Sequence, residues 1–233
     1  MPAPLIGRRP RWAPPPTALP DPSHPLSAGL VFCHVTGVEL ASGRGRATGA
    51  GAPDTPTVFG NALNGRASWP NAATADLAFT SGAWTVAGCG WSKITSGTVD
   101  ILARYTYTSE ANNQGWSLDW NGAGLCRFIV FNNNAAATYL LSTTPSPNLG
   151  PFVAVGVSDP NATQKRSLYY NGALAASATT TPNPVVDNVA SLTSGPLSTV
   201  IQARTTSACA WNRALSPNEV AQYTADPFCF LRW

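Results

Sequence analysis

Trp116, Leu118 and Trp120 alternate with Ser117 and Asp119, run directly into Asn121-Gly122, and are followed by a second apolar run from Leu125 to Phe131. Period-two alternation places the three large side chains on one face of a strand. An Asn-Gly pair supplies the positive φ angles that a tight hairpin turn needs. The same grammar returns at Leu168-Tyr169-Tyr170, Asn171-Gly172 and Ala173-Leu174. Further strand-like runs occupy 30–35, 84–91, 99–105 and 152–157, the last reading as buried on both faces. A chain assembled from such units, with almost no helix signal, is expected to be all-β, an antiparallel sandwich.

One segment departs from this pattern. Ser216 can cap a helix, Pro217 suits the first helical position, and Glu219 stands three residues after the cap. This capping box predicts a helix of about two turns ending before Pro227.

Residues 1–25 hold nine prolines and predict an extended, polyproline-like arm without a core of its own. The expected organisation is an arm over 1–25, a sandwich over 26–225 and an aromatic tail over 226–233. The 44% hydrophobic content and eight Trp suffice for a core, so the 11% charged fraction marks neutral loops and not disorder.

The net charge of +3 is spread thinly, with clustering only at Arg8, Arg9 and Arg11, which argues against a nucleic-acid face. No apolar run is long enough to span a membrane. Pro2, Pro4, Arg8, Arg9 and Pro10 interrupt any signal-like stretch after Met1, so retention in a cytoplasm is expected. Cys33, Cys89, Cys126, Cys209 and Cys229 are widely spaced and form no CxxC. They are expected to be free thiols, Cys229 the most exposed, with no metal site and no cofactor.

Catalytic chemistry has little to work with. Glu39, Glu110 and Glu219 are isolated, and Asp100 and Asp119 are each the lone acid of their strand. No hydrolytic carboxylate run occurs. His24 and His34 read as structural, and no Gly-x-Ser-x-Gly elbow or phosphate-binding loop is present. The expectation is a protein that is not an enzyme.

The order Trp84-to-Trp91, Ile101-Leu102-Ala103-Arg104, Gly115-Trp116-Ser117-Leu118, Tyr169-Tyr170-Asn171-Gly172 and Ala210-Trp211-Asn212-Arg213-Ala214-Leu215-Ser216 resembles the laminin-G-like, concanavalin A-like jelly-roll family over about 76–225. The closing Asn-Arg-Ala-Leu-Ser motif is its most specific part. The Pro-rich start and the Ala225–Leu231 ending are similar to jelly-roll proteins encoded among bacteriophage structural genes. That resemblance implies a virion decoration or tail-surface protein, assembled in a host cytoplasm and homo-oligomeric on its particle. Its contacts with capsid or tail subunits would run through Arg8, Arg9, Arg11 and Trp12, with Phe228, Phe230 and Trp233 as a second anchor. The alternative is a glycan-binding module or adhesin. Its platforms are drawn from Trp69, Tyr105, Tyr107, Trp120 and Tyr139, with Asn132 and Asn133 in an adjoining loop; Tyr105, Tyr107, Trp120, Asn132 and Asn133 are the favoured set.

Overall fold

The computed structural model describes residues 18–36, 53–57, 60–63, 67–70, 74–79, 81–92, 98–106, 114–121, 124–131, 139–142, 150–180, 190–196 and 204–232. In chain order these form β1 (Leu19–Pro20), β2 (Leu30–Val35), β3 (Pro53–Thr57), β4 (Gly60–Leu63), β5 (Ala67–Trp69), β6 (Trp84–Ser92), β7 (Val99–Thr106) and β8 (Gln114–Trp120). There follow β9 (Cys126–Phe131), β10 (Tyr139–Ser142), β11 (Gly150–Ser158), β12 (Arg166–Tyr170), β13 (Ala173–Ala178), β14 (Leu192–Pro196), β15 (Arg204–Trp211), the helix α1 (Pro217–Ala225) and β16 (Leu231–Arg232).

Two six-stranded antiparallel sheets make the sandwich. The first runs β13-β12-β11-β6-β15-β2 and the second β10-β9-β8-β7-β14-β5. Their facing sides share a core that includes Trp84, Val86, Phe152 and Ala154 from the first sheet and Trp116, Leu118, Trp120 and Phe128 from the second. The jelly-roll expectation therefore holds. The sheets approach closely because small residues face large ones: a Cβ on Gly156 would lie 2.6 Å from the Phe128 ring.

The first sheet is buried on its outer side too. Alternate residues of β11 divide between the faces, Phe152 and Ala154 inward, Val153, Val155 and Val157 outward. The outward set joins Cys33, Ala87, Cys209 and Trp211 beneath Val220 and Tyr223 of α1 and beneath Phe228, Phe230 and Leu231. With an apolar layer over each face, the middle of β11 reads as a continuous hydrophobic run.

Phe228 and Phe230, expected as a partner anchor, are corrected by this packing. They are 2% and 0% exposed, and Phe230 lies against the rings of Trp211 and Tyr223. Aromatic rings at a chain end are covered more cheaply by their own sheet than left in water. The division into arm, sandwich and tail shifts for the same reason. Ala18 is buried in that outer core, and β1 pairs with β16 through Leu19↔Arg232 and Pro20↔Leu231. Residues 18–25 and 226–232 therefore belong to the domain. Arg8, Arg9, Arg11, Trp12 and Trp233 lie outside the described residues.

The Asn-Arg-Ala-Leu-Ser motif fastens this cover. All five N–H groups of Arg213 are placed: Nε donates to Ala28 O (2.6 Å), Nη2 to Pro25 O (3.0 Å), Nη1 to Ala214 O (3.3 Å), and the two Nη groups fork onto Glu219 at 3.0 and 2.7 Å. Glu219 also closes the capping box with Ser216. Trp211 Nε1 donates to Leu26 O at 2.6 Å. The N-terminal segment, the end of β15 and α1 are tied at one point.

Of the two Asn-Gly turns, one forms as expected. Asn171 and Gly172 take φ of +48° and +84° between the paired residues Tyr170 and Ala173. The other is longer: Trp120 pairs with Cys126, leaving a five-residue connection. There the Asn121 side chain accepts from Leu125 N at 3.0 Å, and positive φ falls on Gly124. Local side-chain bonding by Asn121 has replaced the tight turn.

Three outcomes check this account. Arg213→Lys keeps the charge and loses the fork, so urea unfolding should show a loss of about 2 kcal/mol. The forked bonds from Arg213, backed by Ser216, hold the Glu219 carboxyl at about 2 against an ordinary 4.5. Its contribution is complete above pH 4.5 and lost as pH falls towards 2, so Glu219→Gln should flatten the acid limb of a Tm-versus-pH curve. Gly156→Ala should cost about 1–3 kcal/mol by overpacking, read by the same urea titration.

Candidate functional site

The second sheet turns a different face outward. Strand pleating sends Gly115, Ser117 and Asp119 of β8 away from the core that holds Trp116, Leu118 and Trp120. Their cross-strand partners are Tyr105, Ala103 and Asp100 on β7 and Phe131, Ile129 and Arg127 on β9. This strip across three adjacent strands is charged at one end and aromatic at the other, with the buried Ala103, Ser117 and Ile129 between them.

One end is ionic. Arg127 Nε donates to Asp119 Oδ1 at 2.7 Å, and Ser117 Oγ donates to Asp119 Oδ2 at 2.7 Å. Asp119 is 3% exposed, and burial pushes its carboxyl up while Arg127 and Ser117 pull it down. Thr193 on β14 donates to Asp100 Oδ2 at 3.0 Å. Once Nε is committed to Asp119, the four Nη hydrogens of Arg127 have no protein acceptor among the described residues, and its side chain is 22% exposed. The buried carboxylate orients the guanidinium, and the outer fork is left for another acceptor.

The other end is aromatic. Gly115 is the partner of both Tyr105 and Phe131, and its φ is +106°. A Cβ there would strike the Arg104 carbonyl and the Tyr105 backbone. Over this glycine the half-buried rings of Tyr105 and Phe131 meet at 5.3 Å with a 36° tilt. Phe131 and Arg127 lie four residues apart on β9, about 13 Å along the strand, the reach of a short oligosaccharide.

Of the residues expected to bind glycan, Tyr105 is on this strip. Trp120 is corrected: it is 1% exposed and edge-on to Phe152 and Tyr170 in the core. The alternation that made it conspicuous is the alternation that buries it. Trp69 is corrected likewise, 1% exposed against Phe32 and His34. Tyr107, Asn132 and Asn133 lie outside the described residues, as does the Tyr139 side chain. Sequence reasoning missed Arg127 and Phe131, whose signal was their place opposite Asp119 and Gly115 once hairpin register is assigned.

Asp100 and Asp119 are each the lone acid of their strand, as expected, and the register makes them direct cross-strand partners. Such a pair could suggest hydrolysis. Both are buried, however, at 0% and 3% exposed, and both oxygens of Asp119 are engaged by Arg127 and Ser117. The histidines offer no base to this face. Burial pushes His34 down to about 4 beside Trp69, and His24 caps the 3-10 turn at Pro25–Ser27. Among the described residues no group of three or more His, Cys, Asp or Glu could hold a metal ion.

A second depression, of about 360 Å³, is lined by Asp76, Ala78, Phe79, Ser81, Gly82, Ala83 and Asn212. Phe79 there takes a φ of +40° while stacking on Trp84 at 5.0 Å.

Arg127→Ala should leave the buried Asp119 carboxylate without its cation and cost about 3 kcal/mol. Asp119→Asn with Arg127→Ala should recover part of that loss, as read from a double-mutant cycle in urea.

Comparison with known proteins agrees with this architecture. A family model described as the concanavalin A-like lectin/glucanases superfamily matches residues 59–221. No curated protein matches the chain in sequence. The chain is similar in fold to the CBM40 of the Ruminococcus gnavus IT-sialidase (TM-score 0.55, 14% identity, 84% of this chain and 100% of that one). It is also similar to the receptor binding domain of botulinum neurotoxin C/D mosaic serotype (TM-score 0.62, 13% identity, 86% and 52%). A third likeness is to the leech intramolecular trans-sialidase (TM-score 0.59, 13% identity, 85% of this chain). The chain spans 28% of that enzyme and 33% of the Trypanosoma rangeli sialidase, so it corresponds to a part of each. With the family model covering most of its length, two facing six-stranded sheets and the Arg213 closure, the chain belongs to the concanavalin A-like lectin/glucanase superfamily.

Proposed function

We propose that this chain is a non-enzymatic carbohydrate-binding module that takes acidic oligosaccharides on the outward face of its second sheet. The observation that carries the reading is Arg127: its Nε is fixed to a buried carboxylate, its outer fork is unengaged by the described residues, and an aromatic pair stands on the same strip. A sugar ring presents an apolar face to Tyr105 and Phe131 while a carboxylate accepts a forked pair of bonds from Arg127. One neighbour in fold, solved with two ligands, supports the ligand class. The CBM40 of the R. gnavus IT-sialidase has been solved with α2,3 sialyllactose and with α2,6 sialyllactose bound, each at a TM-score of 0.55 or 0.56 to this chain.

The virion role rests on an arm over 1–25 whose docking residues Arg8, Arg9, Arg11 and Trp12 lie outside the described residues, and on tail anchors of which Phe228 and Phe230 are inside the domain. The neighbours' names supply nothing for it. Display on a particle remains compatible with glycan binding.

Calorimetric titration of the full chain with α2,3-sialyllactose and with lactose tests the proposal. Sialyllactose should bind at least tenfold more tightly than lactose, a difference of about 1.4 kcal/mol. Arg127→Lys, which keeps a cation beside Asp119, and Phe131→Ala should each weaken binding about tenfold without unfolding the domain. Equal binding of the two sugars, or unaltered affinity in both variants, would overturn the site. Free sialic acid appearing on incubation would overturn the non-enzymatic reading.

A further inference from the structure

Three thiols sit in the outer core of the first sheet: Cys33 on β2, Cys89 on β6 and Cys209 on β15. Two of them are direct cross-strand partners, Cys33 and Cys209, and their sulfurs lie 3.5 Å apart. From this geometry we infer that Cys33 and Cys209 are a site of reversible disulfide formation, which covalently fastens the edge strand β2 to the centre of the first sheet.

The register selects this pair over the alternatives. Directly opposed residues in antiparallel strands have Cα atoms about 4.5–5.5 Å apart, within the 4.4–6.8 Å window of disulfides. Both side chains already point into the same layer, so rotation about the Cα–Cβ bonds brings the sulfurs together. Cys89 is opposite Ser207, with its sulfur 3.1 Å from the Ser207 hydroxyl, and is therefore diagonal to Cys209. Diagonal partners stand about 7–8 Å apart, beyond comfortable bridging. Cys126 belongs to the core between the sheets, and Cys229 is the half-exposed member of the five.

The reaction is a thiol–disulfide exchange with a low-molecular-weight disulfide such as oxidised glutathione. One cysteine thiolate attacks the glutathione disulfide and releases one glutathione thiolate. The second cysteine then displaces the second, giving one protein disulfide and two reduced glutathiones; two protons leave the protein thiols. Burial raises the Cys209 thiol well above its usual range, so the closed sheet protects the pair. Access comes through opening of β2, which among the described strands is an edge strand paired on one side. The crosslink joins residues 176 positions apart in sequence, a long loop whose closure constrains the unfolded chain strongly.

The full chain, prepared reduced, is incubated with oxidised glutathione in two ways: folded at 37 °C, and during refolding from guanidinium. Digestion and mass spectrometry should identify a Cys33–Cys209 linked peptide in the refolded sample at least, with a Tm raised by about 10 °C and restored by reductant. Cys89→Ala should retain the link and the shift, whereas Cys33→Ala should lose both. Iodoacetamide added to the folded, reduced protein should label Cys229 well ahead of the others. Absence of the 33–209 peptide in both samples, or links distributed evenly among Cys33, Cys89 and Cys209, would overturn the inference.

Discussion

Burial of the first sheet on both faces is the constraint from which the rest of the structure follows. One face is satisfied by the second sheet. The other exposes Val153, Val155, Cys209 and Trp211 unless something lies over it, and the cover is made from the two ends of the described chain. Ala18 and Leu26 come from one end; Tyr223, Phe228 and Phe230 come from the other. The β1–β16 pair and α1 shape this cover, and side chains add to its attachment. Arg213 supplies that attachment by placing all five donors on the N-terminal segment, the Ala214 carbonyl and the Glu219 carboxylate.

This division leaves the two sheets with different tasks. The first is a scaffold, apolar on both sides. The second is apolar inward and mixed on its other side, where a strip holds Asp100, Asp119 and Arg127 at one end and Tyr105 with Phe131 at the other. A buried carboxylate beneath a partly exposed guanidinium is costly unless the geometry is good. Here Ser117 and Arg127, acting together on both oxygens of Asp119, reduce that cost, although burial still holds the carboxyl above its ordinary range. The result is a guanidinium with fixed orientation on a rigid strand, the kind of support a binding site requires.

Much of the fold was legible because local signals and tertiary demands agree. The alternation in β8, the unbroken apolar run of β11, the Asn171-Gly172 turn and the Ser216 capping box each follow from sequence and each appear. The site was less legible. Sequence reasoning ranks aromatics by prominence, and Trp69 and Trp120 are prominent because they fill the core. Arg127 and Phe131 look like ordinary members of a strand until the β8–β9 register sets them opposite Asp119 and Gly115. Asp100 and Asp119, nineteen positions apart, become neighbours for the same reason. Register depends on the length of each connection. Of the two connections that the Asn-Gly rule makes short, the one in which the Asn121 side chain accepts from Leu125 N is longer.

The central claim is that ligand meets the outward face of β7, β8 and β9. Its most direct test is a titration of the isotope-labelled full chain with α2,3-sialyllactose, followed by backbone and arginine side-chain NMR. The account predicts that the Arg127 Nε–Hε resonance and the amides of Tyr105, Ser117 and Phe131 shift together and saturate with one affinity. Shifts confined to Asp76, Phe79 and Asn212, with Arg127 unmoved, would contradict it and transfer the site to the depression beside Phe79.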